Sequence, residues 1–120
     1  MHEVGAKRCI MSENWREEVL HATGIIEEIS PEALAEKLDE FCLVDVREVH
    51  EHAQGMMEGA IALPLSEFKE KVAQVVPKDR QVVFYCAGGV RSLVAALWAK
   101  EIIHLDGLSL KGGYKAWAKS

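Results

Sequence analysis

The stretch Gln81-Val82-Val83-Phe84-Tyr85-Cys86-Ala87-Gly88-Gly89-Val90-Arg91-Ser92 decides how the rest of the chain is read. Gln81 to Tyr85 reads as a strand, and its continuous run of β-branched and aromatic residues from Val82 onward suits burial on both faces. Two glycines then break the pattern, and Ser92 to Ile103 follows as a helix that is apolar on nearly every side. A buried strand passing through a short glycine loop into a covered helix is one unit of a layered α/β sheet.

The same alternation extends in both directions. Upstream, Ile25 to Ile29 reads as a short first strand. Ser30-Pro31-Glu32 starts a helix, with a hydroxyl cap and proline at the first helical position, and Leu34 and Leu38 share one face. Phe41 to Val46 is a second buried strand carrying Asp45 near its end, with Arg47 just beyond. Ala60 to Leu63 is a third strand stopped by Pro64; Ser66 opens a helix with Phe68, Val72 and Val75 inward, closed by Pro77. Downstream, Ser109 to Lys111 reads as a fifth strand, followed by Gly112-Gly113 and a terminal helix holding Trp117. Residues 1–24 form an N-terminal arm. In it Ser12 caps a short helix with Trp15, Val19 and Ala22 on one face, ended by Gly24 and docked on the domain or on a second copy. Residues 25–120 are then one α/β domain with a mostly parallel central sheet of about five strands.

Composition narrows the function. A chain of 120 residues, 49% of them hydrophobic, is the size of one globular domain and can bury a core without staples. Fourteen Lys plus Arg against 19 Asp plus Glu leave a net charge of −5, which argues against a nucleic-acid binder driven by phosphate contacts. The longest apolar runs fall far short of the ~20 residues that a membrane span needs. Three cysteines, Cys9, Cys42 and Cys86, with no CxxC, make neither a disulfide scaffold nor a zinc site. Met1 to Trp15 lacks the continuous hydrophobic segment of a signal peptide. The expectation is a soluble, cytoplasmic protein of a reducing compartment.

In open parallel sheets, ligands sit outside the carboxyl ends of the strands. Two polar clusters fall at such ends, Asp45 with Arg47 and, after another strand, Cys86. The helix beginning near Ser92 has first-turn N–H groups without intrahelical partners, and these point back at the loop. With the helix dipole they form an anion site and favour thiolate over thiol. Gly88 and Gly89 let successive amides converge on one point, and Arg91 adds a fixed positive charge. Cys86 is therefore read as an activated nucleophile, with the helix amides, Gly88, Gly89 and Arg91 shaping an anion site around it.

This loop resembles the active-site loop of the rhodanese (sulfurtransferase) family, and the resemblance continues along the chain. Leu43-Val44-Asp45-Val46-Arg47-Glu48 is similar to the family's strand and Asp-x-Arg turn. Glu51, Gly55, Gly59-Ala60-Ile61 and Leu63-Pro64 fit the stretch after it, and Lys111-Gly112-Gly113-Tyr114-Lys115-Ala116-Trp117 is similar to the closing segment. The resemblance implies a rhodanese-like three-layer sandwich and a persulfide enzyme. In that chemistry Cys86 takes the outer sulfur of a thiosulfate-like donor and yields it to cyanide, a dithiol or a partner-protein thiol. It implies no metal and no organic cofactor, and it places Ala87, Gly88, Gly89, Val90 and Arg91 as the anion- and substrate-binding loop and Asp45 and Arg47 as pocket support. A monomer or weak homodimer is expected. Members that use thiosulfate often carry a basic residue directly after the cysteine. Ala87 stands there in this chain, leaving Arg91 as the loop's cation and predicting weak thiosulfate affinity. Met56 replaces the family's usual His at a position read as structural.

Two alternatives are weighed against this reading. A cysteine phosphatase or arsenate reductase shares the thiolate-and-cradle chemistry, but its loop has one residue more between Cys and Arg and a His before the Cys, where this chain has Tyr85. A non-turnover persulfide relay or protein-binding module differs in kinetics rather than in sequence. His50 and His52 are two apart, make a poor metal pair and read as surface residues. Cys42 reads as inert core, Trp98 and Trp117 as packing residues, and Cys9 has no assigned role.

Overall fold

The computed structural model describes residues 14–119, so Cys9 and the expected cap Ser12 lie outside the described residues. Strands β1 (Glu28–Ile29), β2 (Phe41–Asp45), β3 (Ile61–Ala62), β4 (Gln81–Tyr85) and β5 (Leu108–Leu110) form one sheet in the order β1-β5-β4-β2-β3. Every pairing is parallel, so the sheet is parallel throughout rather than mostly so. The cause is that each connection contains a helix, which returns the chain to the same edge before the next strand starts.

The two-residue period of the strands sorts their side chains onto two faces. Cys42, Val44, Val46, Val82, Phe84 and Cys86 join one core beneath α1 (Trp15–Ile25), α4 (Leu65–Val75) and α5 (Arg91–Ile103). Phe41, Leu43, Val83, Tyr85 and Leu110 join the other, with Leu34 of α2 (Pro31–Glu36) and Tyr114 and Trp117 of α6 (Gly113–Lys119). Helix α5 lies between α1 and α4, which explains why its sequence has no polar face over most of its length. Phe68 of α4 meets Phe84 edge-on at 5.6 Å and Trp98 of α5 at 6.1 Å, tying both helices to the central strand.

Several boundaries differ from the sequence expectation. Helix α1 has Asn14 at its N-cap position and runs through Gly24 to Ile25. Ile25 therefore ends a helix rather than starting a strand, and β1 shrinks to two residues. The docking of Ala22 and Ile26 into the α5-side core holds the extra turn, a tertiary contact outweighing β propensity. In α2 the Ser30 hydroxyl does accept from the Ala33 N–H at 3.1 Å, but the helix stops at Glu36. Leu38 begins a separate 3₁₀ turn and is exposed instead of sharing the face of buried Leu34. A four-residue helix α3 (Val49–His52) has no counterpart in the expected elements.

The topology places the site. After β2 the chain moves outward to β3; after β4 it moves the other way, to β5. The crevice between the carboxyl ends of β2 and β4 is thus the switch point at which α/β sheets bind ligands. Asp45 and Tyr85 are register partners at that crevice; Cys86 follows Tyr85 directly, and Arg47 lies two residues beyond Asp45.

Candidate active site

Cys86 directly follows Tyr85, the last residue of β4, and is 1% exposed. Its Sγ accepts from the Gly89 N–H at 3.2 Å and the Ser92 N–H at 3.3 Å, and the thiol donates to Ser92 Oγ over 3.6 Å. The Ser92 N–H belongs to the first turn of α5 and has no intrahelical acceptor, so the sulfur satisfies a donor that the helix leaves open. Beneath it, Ser92 Oγ lies 2.7 Å from Ser109 Oγ of β5, with both residues fully buried. Neither serine stood out in the sequence as part of a site, because a hydroxyl pair formed across two elements has no local signature.

The loop is held from outside by α6. Tyr114 N–H donates to the Cys86 carbonyl at 2.7 Å and Lys115 N–H to the Ala87 carbonyl at 3.0 Å. This closeness requires glycine at two positions. Gly113 has φ +66°, and a Cβ there would lie 2.5 Å from both the Cys86 and the Ala87 carbonyl oxygens. Gly89 has φ +97°, and its Cβ would meet the Gly112 nitrogen at 3.0 Å. Gly88, by contrast, is open to solvent, with nothing near a Cβ. Gly113→Ala and Gly89→Ala are therefore expected to cost about 1–3 kcal/mol each and to disorder the loop, while Gly88→Ala stays within about 0.5 kcal/mol of the parent. Denaturant midpoints of the three variants check this.

Arg91 is not the free cation that the sequence suggested. Its Nη1 and Nη2 donate to Glu51 Oε1 and Oε2 at 2.8 and 3.0 Å, a bidentate pair formed across 40 residues of sequence. Glu51 Oε1 also accepts from the Glu48 N–H at 2.9 Å. Helix α3 is thus built around the carboxylate that holds the active-site loop. Glu48 continues the link, its carboxylate accepting from the Ser66 N–H and hydroxyl at the start of α4. The Arg91 guanidinium draws the Glu51 carboxyl down from its ordinary 4.5 to about 2. A lowered folded-state value stabilises the fold above pH 4.5 and loses that contribution as pH falls toward 2. The stability difference between the parent and Glu51→Gln should be constant above about pH 5 and vanish near pH 2, as read by denaturation at each pH.

Asp45 and Arg47 form a second bidentate pair, almost fully buried. Nη2 lies 2.8 Å from Oδ2, Nε lies 3.0 Å from Oδ1, and the Arg47 N–H donates to Oδ1 at 3.0 Å. The guanidinium also donates to the Gly55 carbonyl and lies 4.6 Å over the Tyr114 ring, which stacks on Tyr85. The Asp45 contact raises the Arg47 pKa further, so the guanidinium stays charged. Burial raises the Tyr85 pKa as well, and its protonated hydroxyl accepts from the Met57 N–H at 3.0 Å. All these donors point at protein acceptors, so the pair ties β2, the 55–57 turn and α6 together rather than reaching Cys86. His52 also turns inward, correcting its reading as a surface residue. Its Nε2 is 3.5 Å from Asp45 Oδ1 and has no hydrogen-bond partner. Cys42 is buried in the core, where desolvation pushes its thiol pKa up, the condition of an unreactive cysteine.

Among the described residues, no group of His, Cys, Asp and Glu is arranged to hold a metal ion, and no helix is long and apolar enough to cross a membrane. What the arrangement can do is hold a sulfur anion at the bottom of a loop of amides, in a site from which water is largely excluded.

Residues 30–120 match the family model described as a rhodanese-like domain. An Allochromatium vinosum protein named a sulfurtransferase is 37% identical over 98 residues, covering 79% of this chain and 91% of the relative. Among solved structures, a rhodanese-related protein of Thermoplasma volcanium is 28% identical with a TM-score of 0.73, covering 78% of this chain and 91% of its own. The human single-domain sulfurtransferase TSTD1 is 26% identical with a TM-score of 0.70, covering 78% and 96%.

Proposed function

The chain belongs to the rhodanese-like domain family, and we propose that it is a sulfurtransferase working through a persulfide on Cys86. The observation that carries the proposal is the convergence of the Gly89 and Ser92 N–H groups on one buried sulfur at the switch point of the sheet. Both donors stabilise negative charge on that atom in the attacking thiolate and again as Cys86 departs from the persulfide.

In the first half-reaction the Cys86 thiolate attacks the outer sulfur of a sulfane donor. A new S–S bond forms to Sγ, the donor's own S–S bond breaks, and its electron pair leaves with the departing anion, sulfite in the case of thiosulfate. In the second, a thiophile such as cyanide, a dithiol or a partner-protein thiol attacks the terminal sulfur, and Cys86 departs as thiolate. The Ser92 hydroxyl accepts from the thiol and donates to the thiolate, with Ser109 able to reverse its own bond in step. Arg91 and Glu51 hold the loop, and Asp45 and Arg47 brace the wall beside it.

Steady-state assays with a sulfane donor and either cyanide or a dithiol test the reading, with ping-pong kinetics as the expected result. Hydrolysis of aryl phosphates without any sulfur transfer would overturn it in favour of a phosphatase.

A further inference from the structure

The loop's guanidinium is already occupied. Arg91 spends one N–H from each Nη on the Glu51 carboxylate, in a pair whose side chains are each 23% exposed. A second carboxylate, Glu48, adds to the negative field at Arg91. The formal charge facing an incoming donor from this pair is therefore zero, although the loop contains an arginine. The outer positions of the loop, Gly88 and Val90, are exposed and carry no charge, and Ala87 is half-buried. Lys111 and Lys115 flank the Gly112-Gly113 turn but are exposed, so their attraction is screened by water and salt.

We propose that Glu51 is a specificity-determining residue: by neutralising Arg91 it sets the site against small dianionic donors and toward organic sulfane-sulfur donors of low charge, such as thiosulfonates and persulfides. The inference rests on Cys86 being a sulfur-transfer nucleophile and names the substrate class of that site. Its physical basis is that Coulomb energy scales with the charge of the ligand. Thiosulfate, with two charges, loses more than a monoanion when the guanidinium's charge is cancelled. Both kinds of donor offer the same chemistry: the thiolate takes the outer sulfur, and sulfite leaves from thiosulfate or a sulfinate from a thiosulfonate.

Glu51→Gln keeps the side chain's shape but removes its charge and, because the amide nitrogen is a donor where Oε2 accepted, the bond from Arg91 Nη2. The amide oxygen can still accept from Arg91 and from the Glu48 N–H, while the negative charge is gone. Parent and variant are compared with thiosulfate and with methanethiosulfonate, measuring kcat and KM at low and at high salt. In the variant, KM for thiosulfate is expected to fall about tenfold and KM for methanethiosulfonate about threefold, because the logarithm of the effect follows the charge. The gain should lie in KM rather than kcat and shrink at high salt. Sulfate, a dianion that cannot donate sulfur, should protect Cys86 of the variant from iodoacetamide at about a tenth of the concentration that the parent needs. The parent alone provides a second check that needs no folded variant: it should bind methanethiosulfonate more tightly than thiosulfate. Equal KM values in parent and variant, a rise in both, or micromolar thiosulfate affinity in the parent overturns the inference while leaving sulfur transfer intact. No sulfur on Cys86 from either donor in either protein overturns the transfer reading and this inference with it.

Discussion

Cys86→Ser is expected to lower sulfur transfer at least about a thousandfold, the scale of losing a covalent nucleophile. A serine oxygen can still accept from the Gly89 and Ser92 N–H groups, so the cradle keeps its partners and the variant should stay within about 1 kcal/mol of the parent in stability. What it loses is a polarisable, nucleophilic sulfur that can form a disulfide-type bond to the incoming sulfur. Cys42→Ala supplies the contrast. Cys42 is packed into the α5-side core with its thiol held protonated by burial, so its removal should reduce stability by about 1 kcal/mol and leave turnover in place. Turnover and thermal denaturation of the two variants check both halves. Transfer above about a tenth of the parent rate in Cys86→Ser would be incompatible with a persulfide on that residue.

The largest loss of stability is expected at the other polar cluster. Asp45→Asn or Arg47→Met breaks a buried bidentate ion pair and leaves one partner without its counter-charge, which costs about 3–5 kcal/mol. Arg47 would lose Asp45 while still tethered to the Gly55 carbonyl and the Tyr114 ring; Asp45 would lose Arg47 and face His52 Nε2 across 3.5 Å. The combined Asp45→Leu, Arg47→Met variant removes both charges and should recover part of the loss, since apolar replacements of a buried pair are often tolerated. Denaturant unfolding of the three proteins measures this. If the pair acts as a brace, turnover of the single variants well below their melting temperatures should fall less than tenfold. A single-variant loss under about 1 kcal/mol together with abolished turnover would assign the pair a direct chemical role instead.

Legibility in the sequence followed how local each cause is. Gln81–Tyr85 is found at its true bounds because the burial of both faces is written into one uninterrupted apolar run. Cys86 and the glycine loop are legible because strand, loop and helix are contiguous. Helix α3 is not, since Val49-His50-Glu51-His52 has no apolar period; what holds it is Glu51, whose partners include an arginine 40 residues away. For the same reason Arg91 read as a free charge: its formal charge is visible in the sequence, its neutralisation is not. One signal was available, the Glu48-x-x-Glu51 spacing of a capping box directly after the Asp45-x-Arg47 turn. The Gly112-Gly113 pair was visible as a motif, but its purpose, letting α6 approach the Cys86 and Ala87 carbonyls, appears only when the two segments are brought together.

Intact mass after incubation with a sulfane donor, without acceptor, tests the central claim most directly. The parent protein should gain one sulfur atom, mapped to the peptide that contains Cys86 and released by a reducing thiol or cyanide, and Cys86→Ser should gain none. Parent protein that takes up no sulfur from any donor, or Cys86→Ser that still takes it up, would contradict the account.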